Sequence, residues 1–320
     1  MSPGSLTDLP ISVVGWGTAV PDGRRSNADL EARLDTNDAW IVERTGIRER
    51  RIAATGDTAA TLGSAAAADA IKRAGLTPSD IDLLVVATST PDQRMPHTGA
   101  FLGEVLGLHC PSFDLSAACS GFVYELVVGA SMLNAGYEHV LIVGSETMST
   151  ITDPEDRSTA ILFGDGAAAA VLARSATAPG LLAWDLGCDG SAAGLIEIPF
   201  GGQYMKMQGQ EVFRRAVRAI TDSSATTLER AGVSVSEVAW FVPHQANLRI
   251  IEAAAKRIGF STERTITNVE HYGNTSSASI PLALFEAVDD GRVQDGDIVL
   301  CAGVGAGLTW GSALFRWGPT

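Results

Sequence analysis

The chain has 320 residues, room for one large core or two fused smaller ones, with 46% hydrophobic residues, 19% charged residues and 34 glycines. That composition excludes a disordered or low-complexity protein and fits a globular one with many tight turns. A formal net charge of −14 argues against nucleic acid as a partner, and no apolar run approaches the ~20 residues that cross a bilayer.

In chain order, Ile11–Val20 reads as a strand, followed by helices near Asn27–Leu34 and Thr58–Ala74. Strand Ile81–Thr88, a helix near Gly99–Leu106 and strand Ser112–Leu115 come next. A long helix is expected from about Cys119 to Asn134, then strands His139–Gly144 and Ala167–Ala173. The second half repeats this plan with strand Leu181–Leu186, helix Gly209–Ala231, strand Val238–Val242, helix Leu248–Ile258, a short strand at Ile266–Asn268 and helix Ser276–Val288. Asp297–Ala302 and Gly311–Trp317 are the closing strands. Apolar strands flanked by helices predict a parallel-rich, buried sheet with helices on its faces. Ile81–Val86 and Val238–Val242 each follow a helix ending in Ala-Gly-Leu or Ala-Gly-Val, at Ala74–Leu76 and Ala231–Val233. A duplicated α/β half is therefore expected, with its boundary near Thr177–Gly180.

Met1–Pro10 lacks a basic stretch followed by an apolar one, so no secretory signal is expected. Cys110, Cys119, Cys188 and Cys301 are scattered, with no C-x-x-C pair. This fits reduced thiols in a cytoplasmic protein, with neither a metal site nor a disulfide framework. Between Gly209 and Ile258 seven Lys or Arg outnumber five Asp or Glu, against the acidic average. Arg214 and Arg218, four apart, share a helix face, as do Arg249 and Lys256, seven apart. Such a face is either ordinary solvated charge or a dock for an acidic partner. Gly15-Trp16-Gly17 is not a dinucleotide fingerprint, because the third glycine is missing and Pro21 follows in place of a helix.

Three remote blocks carry the chemistry: Asp114-Leu115-Ser116-Ala117-Ala118-Cys119, Val242-Pro243-His244-Gln245-Ala246-Asn247 and His271-Tyr272-Gly273-Asn274-Thr275-Ser276. Cys119 sits where a strand turns into a helix. A helix N-terminus favours thiolate, lowering the pKa from its usual ~8.5, and a thiolate is the nucleophile that opens a thioester. Taken alone, Cys119 also reads as a small core residue. His244 closes a strand, Pro243 stiffens its approach, and Asn247 is placed to cap the next helix. Asn274 reads locally as a turn residue or a neutral amide donor. Val304-Gly305-Ala306-Gly307 offers unobstructed backbone N–H groups for an oxyanion.

With these blocks the chain resembles the β-ketoacyl-acyl-carrier-protein synthase III family of the thiolase-like superfamily, over nearly its whole length. The likeness rests on Thr36–Arg48, the Cys119 segment, Phe163–Ala167, Val242–Ile250, Gly273–Pro281 and Thr309–Ser312. It implies an α/β fold of two thiolase-like halves in a layered αβαβα body. Residues 1–178 would carry the nucleophilic cysteine, and 179–320 the histidine and asparagine. It also implies a two-step reaction in which Cys119 takes an acyl group from acyl-CoA, and malonyl-acyl carrier protein then loses CO2 and condenses with it. Backbone N–H groups of Cys119 and Ala306 would hold the oxyanion; the family usually has glycine at the latter place. His244 and Asn274 would donate to the malonyl thioester carbonyl, and no further cofactor is needed.

By the same resemblance Trp40 and Arg157 would sandwich the CoA adenine, Arg44 would meet its phosphates, and Gly209, Ala246 and Asn247 its pantetheine arm. Arg214, Arg249 and Lys256 would face the acidic carrier protein. The family is homodimeric, and Met95 stands where a phenylalanine often reaches from the partner subunit to cap the acyl pocket. Val304 replaces a bulkier aromatic, and Ile196–Met207 is shorter than usual, so primer choice is left open. A thiolase would instead carry a second catalytic cysteine near the C-terminal glycine loop; Cys301 lies before that loop and is assigned to the core. A polyketide-pathway priming ketosynthase or acyltransferase would use the same acyl-cysteine. A non-catalytic partner subunit would be expected to lose it.

Overall fold

A computed structural model describes residues 11–175 and 180–318. The apolar runs assemble two sheets. One takes β1 (Ile11–Ala19), β4 (Leu83–Ala87), β5 (Ser112–Leu115), β6 (His139–Thr147) and β7 (Asp165–Arg174), in the order β1-β7-β6-β4-β5. The other takes β8 (Leu181–Cys188), β11 (Trp240–Pro243), β12 (Ile298–Gly305) and β13 (Thr309–Arg316), in the order β11-β12-β13-β8. Small antiparallel ribbons join β2 (Arg24–Ser26) to β3 (Glu49–Arg51), and β9 (Ile196–Glu197) to β10 (Lys206–Met207).

The duplication is visible in strand sense. In the first sheet β1–β7 and β7–β6 are antiparallel, while β6–β4 and β4–β5 are parallel. In the second, β8–β13 and β13–β12 are antiparallel and β12–β11 is parallel. A fifth strand at Ile266–Asn268 is not formed; a single parallel bridge, Phe241 to Thr265, marks its place. The Gln245 side chain substitutes for the ladder there, accepting from Asn268 N–H at 3.0 Å and donating to Ile266 C=O at 3.3 Å.

Five layers result. Helices α3 (Ala59–Arg73) and α4 (Thr98–Leu106) cover the outer face of the first sheet, with an alanine-rich stripe of α3 against it. α5 (Gly121–Asn134) and α10 (Ser279–Asp289) fill the middle, where residues from both sheets form the largest core cluster. Each fully buried large side chain there, such as Leu126 or Phe285, contributes about 1.5–3 kcal/mol. α7 (Gly209–Ala231) and α8 (Leu248–Ile258) cover the second sheet. The Gly15-Trp16-Gly17 run serves this packing: a Cβ at Gly15 or Gly17 would lie 2.2 Å from a backbone oxygen of α3.

Shorter helices α1 (Asn27–Glu31), α2 (Asp38–Thr45), α6 (Arg157–Ala160) and α9 (Val269–Tyr272) lie between these layers' connections. Helix α2 is additional to the elements expected from periodicity, and its start is set by Asn37 Oδ1 accepting from Trp40 N–H at 2.9 Å. The helix expected from Cys119 begins instead as a 3-10 turn at Ala118–Ser120, and that expected from Ser276 as a 3-10 turn at Ser276–Ala278. No helix among the described residues is long and apolar enough to cross a membrane. The expected division between 178 and 179 lies outside the described residues.

Candidate active site

The nucleophile turn is built by close backbone approach. Ala118 is held at φ +47°, left-handed for a residue with a Cβ, a conformation that costs on the order of 1 kcal/mol and needs surrounding structure to hold it. That structure is at hand. Thr309 Oγ1 donates to Ala117 C=O at 2.8 Å, and Ser120 Oγ donates to the same carbonyl at 2.7 Å. Gly305 of β12 lies so near that a Cβ there would sit 2.7 Å from both Ala117 O and Cys119 N. The turn packs against the Ser276–Ala278 turn, whose Ser276 is also left-handed at φ +48°.

Cys119 is partly exposed to the tunnel described below, yet protein surrounds its sulfur. Burial pushes the thiol up to about 12, and the nearby Glu146 carboxylate adds to the rise. This corrects the lowered pKa expected from a helix start. The α-helix proper begins two residues later, at Gly121, so its terminus does not offset the loss of solvent.

His244 follows β11 and is buried, its N–H donating to Ala302 C=O at 2.8 Å. Burial pulls its pKa down to about 3, so the imidazole is neutral at physiological pH. Nδ1 lies 2.6 Å from Ser279 Oγ, which turns the opposite nitrogen to the tunnel. Asn274 is clamped by its backbone to the first half: its N–H donates to Leu162 C=O at 2.8 Å, and its C=O accepts from Gly164 N–H at 3.1 Å. Its Oδ1 accepts from Ser276 N–H at 2.9 Å, leaving the amide NH2 as the group to present.

Cys119, His244, Asn274 and Ala306 meet in one tunnel of about 1000 Å³. Val212, Phe213, Ile250, Leu162, Met205 and Met207 give it apolar walls. Trp40, Arg44, Gly209, Ala246, Asn247, Arg214 and Arg249 line it as well. Asn247 also caps α8, its Oδ1 accepting from Ile250 N–H at 3.0 Å.

Three expected site residues lie elsewhere. Arg157 does not line the tunnel; its Cζ stacks 5.0 Å from the Trp40 ring centroid, and Nη1 donates to Asp35 C=O at 2.6 Å. Arg44 stacks on Trp40 too, at 5.2 Å, so an adenine between Trp40 and Arg157 has to displace that contact. Met95 is 84% exposed and outside this chain's tunnel. Lys256 is exposed on α8 and does not line the tunnel. The basic face is also divided. Arg214 and Arg215 pair with Glu211, and Arg218 pairs with Asp222. Among the described residues Arg249, Lys256 and Arg257 have no acidic partner, and Arg249 Cζ lies 5.8 Å over Phe213.

Sequence reasoning missed Ser279 and Glu146. Glu146 is fully buried beneath the nucleophile, accepting from Thr90 Oγ1 at 2.7 Å, Ser89 N–H at 2.9 Å and Ser277 Oγ at 2.9 Å. It ties loops of both halves together. The available signal was a polar side chain inside an apolar run, as in His139–Thr147 and Ser276–Phe285.

A tunnel that ends at a thiol, a neutral imidazole and a carboxamide, enclosed by duplicated halves, defines a thiolase-like protein of the acyl-transferring, carbon–carbon bond-forming kind. Residues 113–190 match the 3-oxoacyl-(acyl-carrier-protein) synthase III family, and 228–317 match its C-terminal region. The β-ketoacyl-(acyl-carrier-protein) synthase III of Symbiobacterium thermophilum is 44% identical, covering 97% of this chain and 98% of that one. The crystal structure of 3-oxoacyl-(acyl-carrier-protein) synthase III from Aquifex aeolicus superposes with a TM-score of 0.94 at 42% identity, covering 96% of this chain and 100% of that one. The priming β-ketosynthase of the R1128 polyketide pathway gives 0.92 at 38% identity, covering 99% and 100%. This chain belongs to the 3-oxoacyl-(acyl-carrier-protein) synthase III family.

Proposed function

We propose that this protein is the initiating condensing enzyme of type II fatty acid synthesis, joining an acyl-CoA primer to malonyl-acyl carrier protein. The observation that carries this reading is the convergence of Cys119, His244 and Asn274 in one tunnel. Cys119 attacks the acyl-CoA thioester: a carbon–sulfur bond to Cys119 forms, the bond to CoA breaks, and the thiol proton leaves on CoA. Backbone N–H groups of Cys119 and Ala306 hold the oxyanion. After CoA leaves, the malonyl-bearing arm of the carrier protein enters the tunnel. Its thioester oxygen receives hydrogen bonds from the His244 imidazole and the Asn274 amide, which stabilise the enolate left when CO2 departs. Two neutral donors suit that oxygen better than a carboxylate would. The enolate carbon attacks the acyl-Cys119 carbonyl, the thiolate leaves and takes a proton from water, and 3-oxoacyl-carrier protein is released.

Trp40, Arg44 and Arg157 bind the CoA nucleotide, with Arg157 swinging off Trp40 as adenine enters, and Gly209, Ala246 and Asn247 hold the pantetheine arm. Arg249 and Lys256, which form no ion pair among the described residues, dock the acidic carrier protein, with Arg214 beside them once it exchanges Glu211 for the partner. The protein acts in the cytoplasm without a cofactor, as a homodimer whose Met95 caps the neighbouring subunit's acyl pocket. Support for the dimer comes from β5, a sheet edge that carries the exposed Phe113, and from the exposed Met95. The two functional halves divide at 178/179, the first bearing Cys119 and the second His244 and Asn274.

A priming role in a polyketide pathway is the second reading, favoured by the likeness to the R1128 enzyme. Intact-mass spectrometry with a panel of straight and branched acyl-CoA primers, followed by malonyl-carrier protein, tests both. Loading of Cys119, CO2 release and a 3-oxoacyl product are expected. Acyl transfer without CO2 release moves the assignment to a transferase, and no loading by any primer moves it to a non-catalytic subunit.

A further inference from the structure

Ser279 opens α10 and is 1% exposed, in contact with the buried side of His244. Its Oγ lies 2.6 Å from His244 Nδ1 and accepts from the Gln245 backbone N–H at 3.3 Å. That N–H is held in place because the Gln245 side chain is itself fixed. Nε2 donates to Pro243 C=O at 2.7 Å and Ile266 C=O at 3.3 Å, while Oε1 accepts from Asn268 N–H at 3.0 Å. A serine hydroxyl has one hydrogen to give. Among the described residues its only acceptor is His244 Nδ1. Were Nδ1 the protonated nitrogen, Ser279 Oγ would face two N–H donors, and its own hydrogen would be buried without a partner.

We propose that Ser279 is a positioning residue that fixes His244 as its Nε2–H tautomer, with that N–H aimed into the tunnel. Which ring nitrogen carries the proton is set by the partner of the other one. Two consequences follow for the reaction. His244 can donate to the malonyl thioester oxygen without first rearranging. It cannot take the Cys119 proton at Nε2, because that nitrogen is already protonated, so acyl loading proceeds without it. Burial, which keeps the ring neutral, leaves the single N–H as the ring's only donor. This inference deepens the condensing role proposed above and rests on it.

The test labels histidine with 15N and reads the protonated ring nitrogen of His244 by long-range proton–nitrogen correlation, assigned by its loss in His244→Gln. The wild type is expected as Nε2–H, and an Nδ1–H spectrum overturns the proposal. Ser279→Ala is expected to mix the tautomers and slow CO2 release from malonyl-carrier protein about tenfold, the effect of losing one buried hydrogen bond. Acyl loading should stay within twofold. Ser279→Thr, which keeps the hydroxyl, is expected to keep both the tautomer and the rate. Wild-type CO2 release in Ser279→Ala, or loading that falls as far as CO2 release in a folded protein, overturns the proposal. So does a Thr variant with the Nε2–H tautomer that is as slow as Ala. The spectrum needs no substrate and stays decisive if Ser279→Ala does not fold. Failure of the condensing role itself would appear separately, as wild-type enzyme that releases no CO2.

Discussion

Gly305→Ala tests how tightly β12 supports the nucleophile. A Cβ there would lie 2.7 Å from Ala117 O and Cys119 N and 2.9 Å from Ala118 Cβ, whereas ordinary contact begins at 3.4 Å. Two of these three are backbone atoms of a turn already held in a left-handed conformation, so rotamer adjustment cannot relieve the clash. Turn and strand must separate by about 0.7 Å. Overpacking of this kind costs about 1–3 kcal/mol of stability. The larger effect falls on chemistry, because Cys119 supplies both the sulfur and an oxyanion N–H. A displacement near 1 Å at a reacting group costs up to ~10²-fold, so acyl loading is expected to fall about 10- to 100-fold. Loading is followed by the mass gain of Cys119 after mixing with acetyl-CoA, beside a thermal melt. Gly190→Ala, where a Cβ meets nothing within 4 Å, serves as the control and should change neither. A Gly305→Ala enzyme that loads within twofold of wild type and melts at the same temperature refutes the reasoning.

Asn274→Ala is expected to load its primer normally but to release CO2 about 10²- to 10³-fold more slowly, as removal of one oxyanion donor does; equal loss of both steps would remove the role given to its amide. Cys119→Ser should show no acyl adduct in the same assay. Because burial raises the Cys119 thiol to about 12 in the substrate-free site, its thiolate fraction should grow with pH throughout the range below that value. Alkylation of the Cys119 peptide by a neutral reagent is therefore expected to quicken about tenfold per pH unit between 7 and 10, and a plateau below pH 9 would contradict the raised value. Arg249→Glu should raise KM for carrier protein about two- to fivefold, fading at high salt, with KM for acyl-CoA little changed. Equal changes in both would dismiss α8 as the docking face.

The groups proposed for catalysis stand out in the chain because chemistry restricts residue type. A thiol, an imidazole and an amide suit such a reaction, and Cys119, His244 and Asn274 offer them in three distinct local contexts. Helices with a strong apolar period were equally plain, and α7 and α8 fall at the expected residues. The short α2 escaped notice because its start depends on a single asparagine cap and its inward face on only Ile41 and Thr45. Ile266–Asn268 looked like a strand because local sequence carries no record that Gln245 takes over its ladder bonds.

The order of residues by itself determined the candidate reactive groups, the duplicated plan and the elements whose periodicity is unmistakable, since each depends on neighbours within a few positions. The ionisation of Cys119, the pairing of Arg214 with Glu211, the exposure of Met95 and the bond between His244 and Ser279 belong to the folded molecule. Each is set by desolvation or by contacts that the fold alone brings about, and Cys119 meets Glu146 and Ser276 only after two sheets have stacked around α5 and α10. Fields and hydrogen bonds act through space, so what a side chain can do waits on what surrounds it.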